Sequence, residues 1–100
     1  MKDLQEIVNK LLENKAAISR YGIKRVGVFG STVRMEATDK SDIDLLVEFD
    51  AKQKTYRNFW QSSQFFEHLL DRNVDLVTPQ ALSPYIKLRV DREVKYVQIS

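Results

Sequence analysis

Three short apolar runs, each too brief for a helix and each carrying a polar group at one end, set the tightest limits on how this chain can fold. Ile23-Lys24-Arg25-Val26-Gly27-Val28-Phe29 lies between Gly22 and the pair Gly30-Ser31; Asp42-Ile43-Asp44-Leu45-Leu46-Val47-Glu48-Phe49 opens on two acids; Val74-Asp75-Leu76-Val77-Thr78 opens on a third and stops at Pro79. Runs rich in β-branched residues and bounded by glycine or proline read as strands. Successive strand residues point to opposite faces, so Asp42 and Asp44 share a face with backbones about 6 to 7 Å apart, while Ile43 turns into the core. If the end of the first strand and the starts of the other two meet at one place, strands one and two run antiparallel and strands two and three run parallel. The chain is then a small mixed β-sheet of the α/β (α+β) class, packed by helices.

The helices follow from the remaining pattern. Leu4, Ile7, Val8, Leu11, Leu12 and Ile18 keep a helical spacing, with Asp3 and Glu6 suited to the amino-terminal cap and Gly22 to the stop. Ser31 to Ala37 suits a short helix between the first two strands. From Thr55 to Asn73 the positions Tyr56, Phe59, Trp60, Phe66, Leu69 and Leu70 form one apolar stripe, the crossover helix that a parallel pair requires. Ser83-Pro84 opens a last helix running to about Val94, and Lys95 to Ser100 favours no one state.

With 100 residues, 43% hydrophobic and 30% charged, the chain has the composition of a folded protein, and we expect residues 1–100 to form a single domain. A net charge of +2, from 16 basic and 14 acidic residues, lacks the basic stripe of a dedicated nucleic-acid binder. The absence of cysteine excludes disulfides, thiolate metal sites and a cysteine nucleophile. The start Met1-Lys2-Asp3-Leu4-Gln5-Glu6 has no apolar stretch of a signal peptide, and no segment suits a membrane span, so a cytoplasmic location is expected.

Asp42, Asp44 and Asp75 at strand edges facing one point repel one another unless a cation offsets their charge. Oxygen ligands with open positions suit magnesium, which leaves room for substrate phosphates. Gly30 allows a phosphate to approach the backbone, and Ser31 offers a hydroxyl and an amide near a helix amino terminus, where anions are favoured. Together these residues read as a cradle for a metal and a triphosphate.

The stretch Gly30-Ser31-Thr32-Val33-Arg34 through Ser41-Asp42-Ile43-Asp44-Leu45 resembles the Gly-Ser-x10-Asp-x-Asp signature of the polymerase-beta-like nucleotidyltransferase superfamily. Over essentially its full length the chain resembles the minimal nucleotidyltransferase group, many of whose members are antitoxins. The resemblance implies a palm-like nucleotidyltransferase fold and transfer of a nucleotidyl group from a triphosphate, ATP being expected, to a hydroxyl. It implies two magnesium ions, with manganese as a substitute, held by Asp42, Asp44 and Asp75. It further implies that Asp75 activates the acceptor, and that Gly30, Ser31 and Arg34 contact the nucleotide. Met35 departs from the pattern, standing where many relatives carry glycine. As in many members, the resemblance implies a HEPN-type ribonuclease toxin as partner, bound in a hetero-oligomer and adenylylated on tyrosine.

Other residues fit quieter roles. His68 suits a surface or packing position, and Trp60, Phe65 and Phe66 suit the core. Lys87, Arg89, Arg92 and Lys95, interleaved with Asp91 and Glu93, read as a solvated helix face. Two other functions stay open at this point: transfer to a small hydroxylated molecule such as an aminoglycoside with a partner subunit, and an antitoxin that acts by binding alone. The intact acids weigh against the latter.

Overall fold

The computed structural model describes residues 3–100. Strand β1 (Ile23–Phe29) and strand β2 (Ile43–Phe49) pair antiparallel, with Val26 opposite Val47 and Phe29 opposite Asp44. Strand β3 (Val74–Val77) pairs parallel with β2, with Asp75 opposite Asp44. Both orientations are those the placement of the polar groups requires. The ambiguous end of the chain becomes strand β4 (Lys95–Gln98), antiparallel to β1, and the sheet runs β3-β2-β1-β4.

One face of the sheet carries the core. Val26, Val28, Ile43, Leu45, Val47 and Val97 meet Ile7 and Leu11 of helix α1 (Leu4–Glu13), Ile18 of α2 (Lys15–Ser19), and Phe66 and Leu70 of α3 (Tyr56–Leu70). Each such aliphatic or aromatic side chain removed from water contributes about 1.5–3 kcal/mol. Asp3 caps α1 by accepting the Glu6 amide at 2.9 Å. The stripe from Leu4 to Ile18, which reads as one helix, is instead two. At Asn14 the side-chain amide donates to the Lys10 carbonyl at 2.7 Å and the backbone leaves helical geometry, the competition for backbone groups that makes Asn a poor helix-interior residue.

Thr55 caps the crossover helix α3 through the Asn58 amide. Phe66 and Leu70 are buried as expected, but Tyr56 and Trp60 are 83% and 54% exposed, so Trp60 is not a core residue. Helical phase decides which side of α3 they occupy; it does not decide whether the layer beneath reaches far enough to cover them. His68 is exposed.

Helix α4 (Pro84–Glu93), capped by Ser83, carries a single buried residue, Val90. Its exit runs close over β1: a Cβ added at Gly27 would stand 2.5 Å from Cγ2 of Val94. Among the described residues no helix is long and apolar enough to cross a membrane.

Candidate active site

Asp44 sits at the end of the sheet between two strands that both deliver chemistry. Its neighbour on β1 is Phe29, immediately before Gly30, and its neighbour on β3 is Asp75. The antiparallel return of β2 and the α3 crossover therefore converge on one sheet edge. Residues 30–32 turn as a single 3-10 helix, in place of the α-helix that Ser31 to Ala37 suggests. Gly30 adopts φ +77°, and a Cβ there would lie 2.0 Å from Oδ2 of Asp44. Glycine is required twice over, for the left-handed backbone and for the close approach of the carboxylate.

A cleft of about 390 Å³ opens at this edge, lined in part by Phe29, Gly30, Arg34, Asp44, Asp75 and Glu93. Of the sequence-predicted residues, Gly30, Arg34, Asp44 and Asp75 line it. Ser31 and Asp42 stand outside its lining, Asp42 exposed just before β2 begins. Arg72, on which the sequence reading is silent, donates to the carbonyls of Thr38 and Ser41 and so ties down the loop that leads into Asp42.

The electrostatics are strained in one sense. Burial raises the Asp44 carboxyl to about 6, and the charges of Asp75, Asp42 and Glu93 push the same way against the opposing pull of Arg34. Among the described residues, no side-chain hydrogen bond or ion pair reaches Asp42, Asp44 or Asp75. Three carboxylates with no protein donor are hard oxygen ligands in surplus, and their mutual repulsion is what a divalent cation offsets. Among the described residues there is also no ready-made cage of three or more metal ligands. An open set of this kind fits magnesium, which keeps several waters and takes one or two carboxylates together with substrate phosphates.

Glu93, which the charge pattern puts on a solvated helix face, belongs instead to the site. Its carboxylate turns inward, 13% exposed, accepting the Gly30 amide at 2.6 Å and Arg34 Nη1 at 3.0 Å. The available signal was its position three residues after the buried Val90, hence on the same side of α4.

Met35 holds φ 61°, the conformation in which glycine carries no penalty, so the departure from the pattern falls where a side chain costs backbone energy. An L-residue loses roughly 1–2 kcal/mol there, against about 0.5–1 kcal/mol of chain entropy that glycine costs. Met35, almost fully exposed, gives up little packing on truncation. Met35→Gly is therefore expected to leave stability equal or raise it by up to about 1 kcal/mol. Thermal melting checks this, and a loss of stability in the variant would show the strain argument to be wrong.

The sequence pattern of the family described as nucleotidyltransferase domain matches residues 5–99. The chain is 40% identical over 98 residues to the protein adenylyltransferase MntA of Thermococcus cleftensis, covering 97% of this chain and 98% of that one. It is similar to the solved structure of a candidate minimal nucleotidyltransferase, with 35% identity and a TM-score of 0.71, over 88% of this chain and 93% of that chain. A toxin-antitoxin structure with AMP-PNP is similar at 25% identity and a TM-score of 0.68, over 89% of this chain and 70% of that chain. The fold is shared by a chain of the complex between tri-AMPylated Shewanella oneidensis HEPN toxin and MNT antitoxin, at 24% identity and a TM-score of 0.63, over 92% of this chain and 69% of that chain.

Proposed function

The chain belongs to the nucleotidyltransferase domain family, and from that we propose that it is a magnesium-dependent protein adenylyltransferase. It acts as an antitoxin, using ATP to adenylylate and neutralise a partner HEPN-type ribonuclease toxin with which it assembles. The observation that carries the chemical reading is the set of three carboxylates without protein partners, beside a glycine turn and an arginine at one sheet edge. Occlusion of a toxin gives no reason to keep such a costly arrangement.

In this reading residues 1–100 form one minimal nucleotidyltransferase unit, and the acceptor comes from the partner. Asp42, Asp44 and Asp75 are the residues that would hold the metal. Gly30, Ser31 and Arg34 hold the triphosphate: among the described residues the Ser31 hydroxyl has no protein hydrogen bond, and the guanidinium of Arg34 uses Nε and Nη1 but not Nη2. Magnesium, when bound, offsets the charge between phosphates and carboxylates and lowers the pKa of the acceptor hydroxyl. The acceptor oxygen forms a bond to the α-phosphorus as the bond to the β-phosphate oxygen breaks, and pyrophosphate leaves. Asp75, exposed on the edge strand β3, is the acid open to an incoming acceptor and would receive its proton. No protein nucleophile is needed, because in-line displacement rests on positioning and charge stabilisation.

Calorimetric titration with AMP-PNP tests the reading. Binding is expected in magnesium and not in chelator, since phosphates and carboxylates repel until a cation bridges them. Equal affinity in both conditions would remove the metal site from the proposal.

A further inference from the structure

We propose that Glu93 is a positioning residue for nucleotide binding: from the last turn of α4 it sets the Gly30 turn and aims Arg34 into the cleft. The capacity to hold a triphosphate then depends on the docking of α4. The inference rests on the transferase reading above for what Gly30 and Arg34 bind, and adds a residue with no place in the Gly-Ser-x10-Asp-x-Asp pattern.

Helix α4 has little else to hold it. Only Val90 is buried along Pro84–Glu93, and Tyr85, Ile86 and Leu88 are exposed. Glu93 nevertheless stays inside. Its Oε2 accepts both the Gly30 amide, at 2.6 Å, and Arg34 Nη1, at 3.0 Å, while Oε1 accepts Arg34 Nη1 at 3.1 Å and lies 3.4 Å from Nε of Arg89. A charged carboxylate this enclosed is stable only with such partners, so the register of α4 and the conformation of the turn after β1 are set together. The contacts join the end of α4 to a turn 63 residues earlier in the chain.

The same carboxylate occupies an amide and an arginine, as an internal rival of phosphate would. The donor inventory argues otherwise. Arg34 gives Glu93 one nitrogen, its Nε goes to Glu36, and Nη2 remains without a protein acceptor, as does the Ser31 hydroxyl among the described residues. A guanidinium held through two of its three nitrogens still presents the third to an anion. Glu93 thus fixes the orientation of Arg34 and leaves a donor for the triphosphate.

The test compares the full chain with Glu93→Gln and Glu93→Ala, by titration with magnesium and AMP-PNP, thermal melting, and hydrogen exchange of the amides of residues 30–36. Glu93→Ala is expected to weaken AMP-PNP binding about tenfold or more, as for loss of hydrogen bonds to a charged group, and to speed exchange in residues 30–36. Glu93→Gln keeps an acceptor for the Gly30 amide but loses the charge on Arg34, and should fall between parent and Glu93→Ala. A lower melting temperature with unchanged affinity and unchanged exchange in residues 30–36 would reduce Glu93 to a structural contact and overturn the proposal. Tighter binding in either variant would also overturn it, in favour of competition with phosphate. If the parent bound no AMP-PNP in magnesium, the transferase reading would be what failed; exchange in residues 30–36 would then decide alone, unchanged rates overturning the role of Glu93 and faster rates upholding its hold on the turn.

Discussion

Asp44→Asn will abolish adenylyl transfer and, in chelator at neutral pH, give a folded chain more stable than its parent. Both halves come from the same carboxylate. In the folded chain burial, Asp75 and Asp42 raise its pKa from 3.8 to about 6, so the fold favours the neutral acid while the unfolded chain does not. Stability without metal is therefore highest below about pH 4 as far as this group is concerned, declines as pH rises, and has lost this contribution once pH passes about 6. The ceiling on that loss is about 3 kcal/mol, and partial solvation of Asp44 makes the realised figure smaller. Asparagine keeps the volume and removes the charge, so the variant should lack this decline between pH 4 and 6. Its transfer rate should fall about a thousandfold or more, the scale of losing several kcal/mol of metal-mediated charge stabilisation. Melting curves in chelator at pH 5 and pH 7.5, paired with labelling of the partner by radiolabelled ATP, measure both. Parental labelling, or a variant less stable than the parent at pH 7.5, would contradict the assignment.

Asp75→Asn should separate binding from chemistry. Asp44 stands between β1 and β3, beside the Gly30 turn, whereas Asp75 is exposed on the edge strand, one strand further from that turn. Losing its charge should leave most of the affinity for magnesium and AMP-PNP, within about threefold, because Asp42 and Asp44 would still hold the cation that offsets the phosphate charge. Partner labelling should fall about a hundredfold or more, the usual scale for a residue that receives a proton in the transition state. The paired measurement is affinity by titration and the rate of acceptor labelling, for parent and variant. Two results would refute this division of labour: labelling at the parental rate, or loss of triphosphate binding as complete as in Asp44→Asn.

The topology was legible because the chemistry imposed it. Gly30 after one strand, Asp42-Ile43-Asp44 before the next and Asp75 in a third can meet only if β1 and β2 are antiparallel and β2 and β3 parallel, and a parallel pair needs a crossover, supplied by α3. The caps at Asp3, Thr55 and Ser83 were equally local, each a short polar side chain ahead of a helical pattern. The break at Asn14 was not, because the same residue also fits within a helix and the apolar spacing runs on to Ile18. Strand β4 was hidden for a related reason. Lys95–Gln98 carries one buried residue, Val97, and becomes a strand because the free edge of β1 supplies its hydrogen bonds.

By itself the sequence determined the residue types at the sheet edge, the order of the strands' polar ends and the caps, since all of these depend on neighbours a few residues apart or on a signature of set spacing. Tertiary structure alone decided that Trp60 faces solvent and that burial and the neighbouring acids push the Asp44 carboxyl upward. It alone brought Glu93 back from the end of α4 to hold Gly30 and Arg34. Burial and charge coupling are sums over everything that packs around a group, and the partners that matter to Glu93 lie 59 and 63 residues away, a separation over which periodicity carries no information.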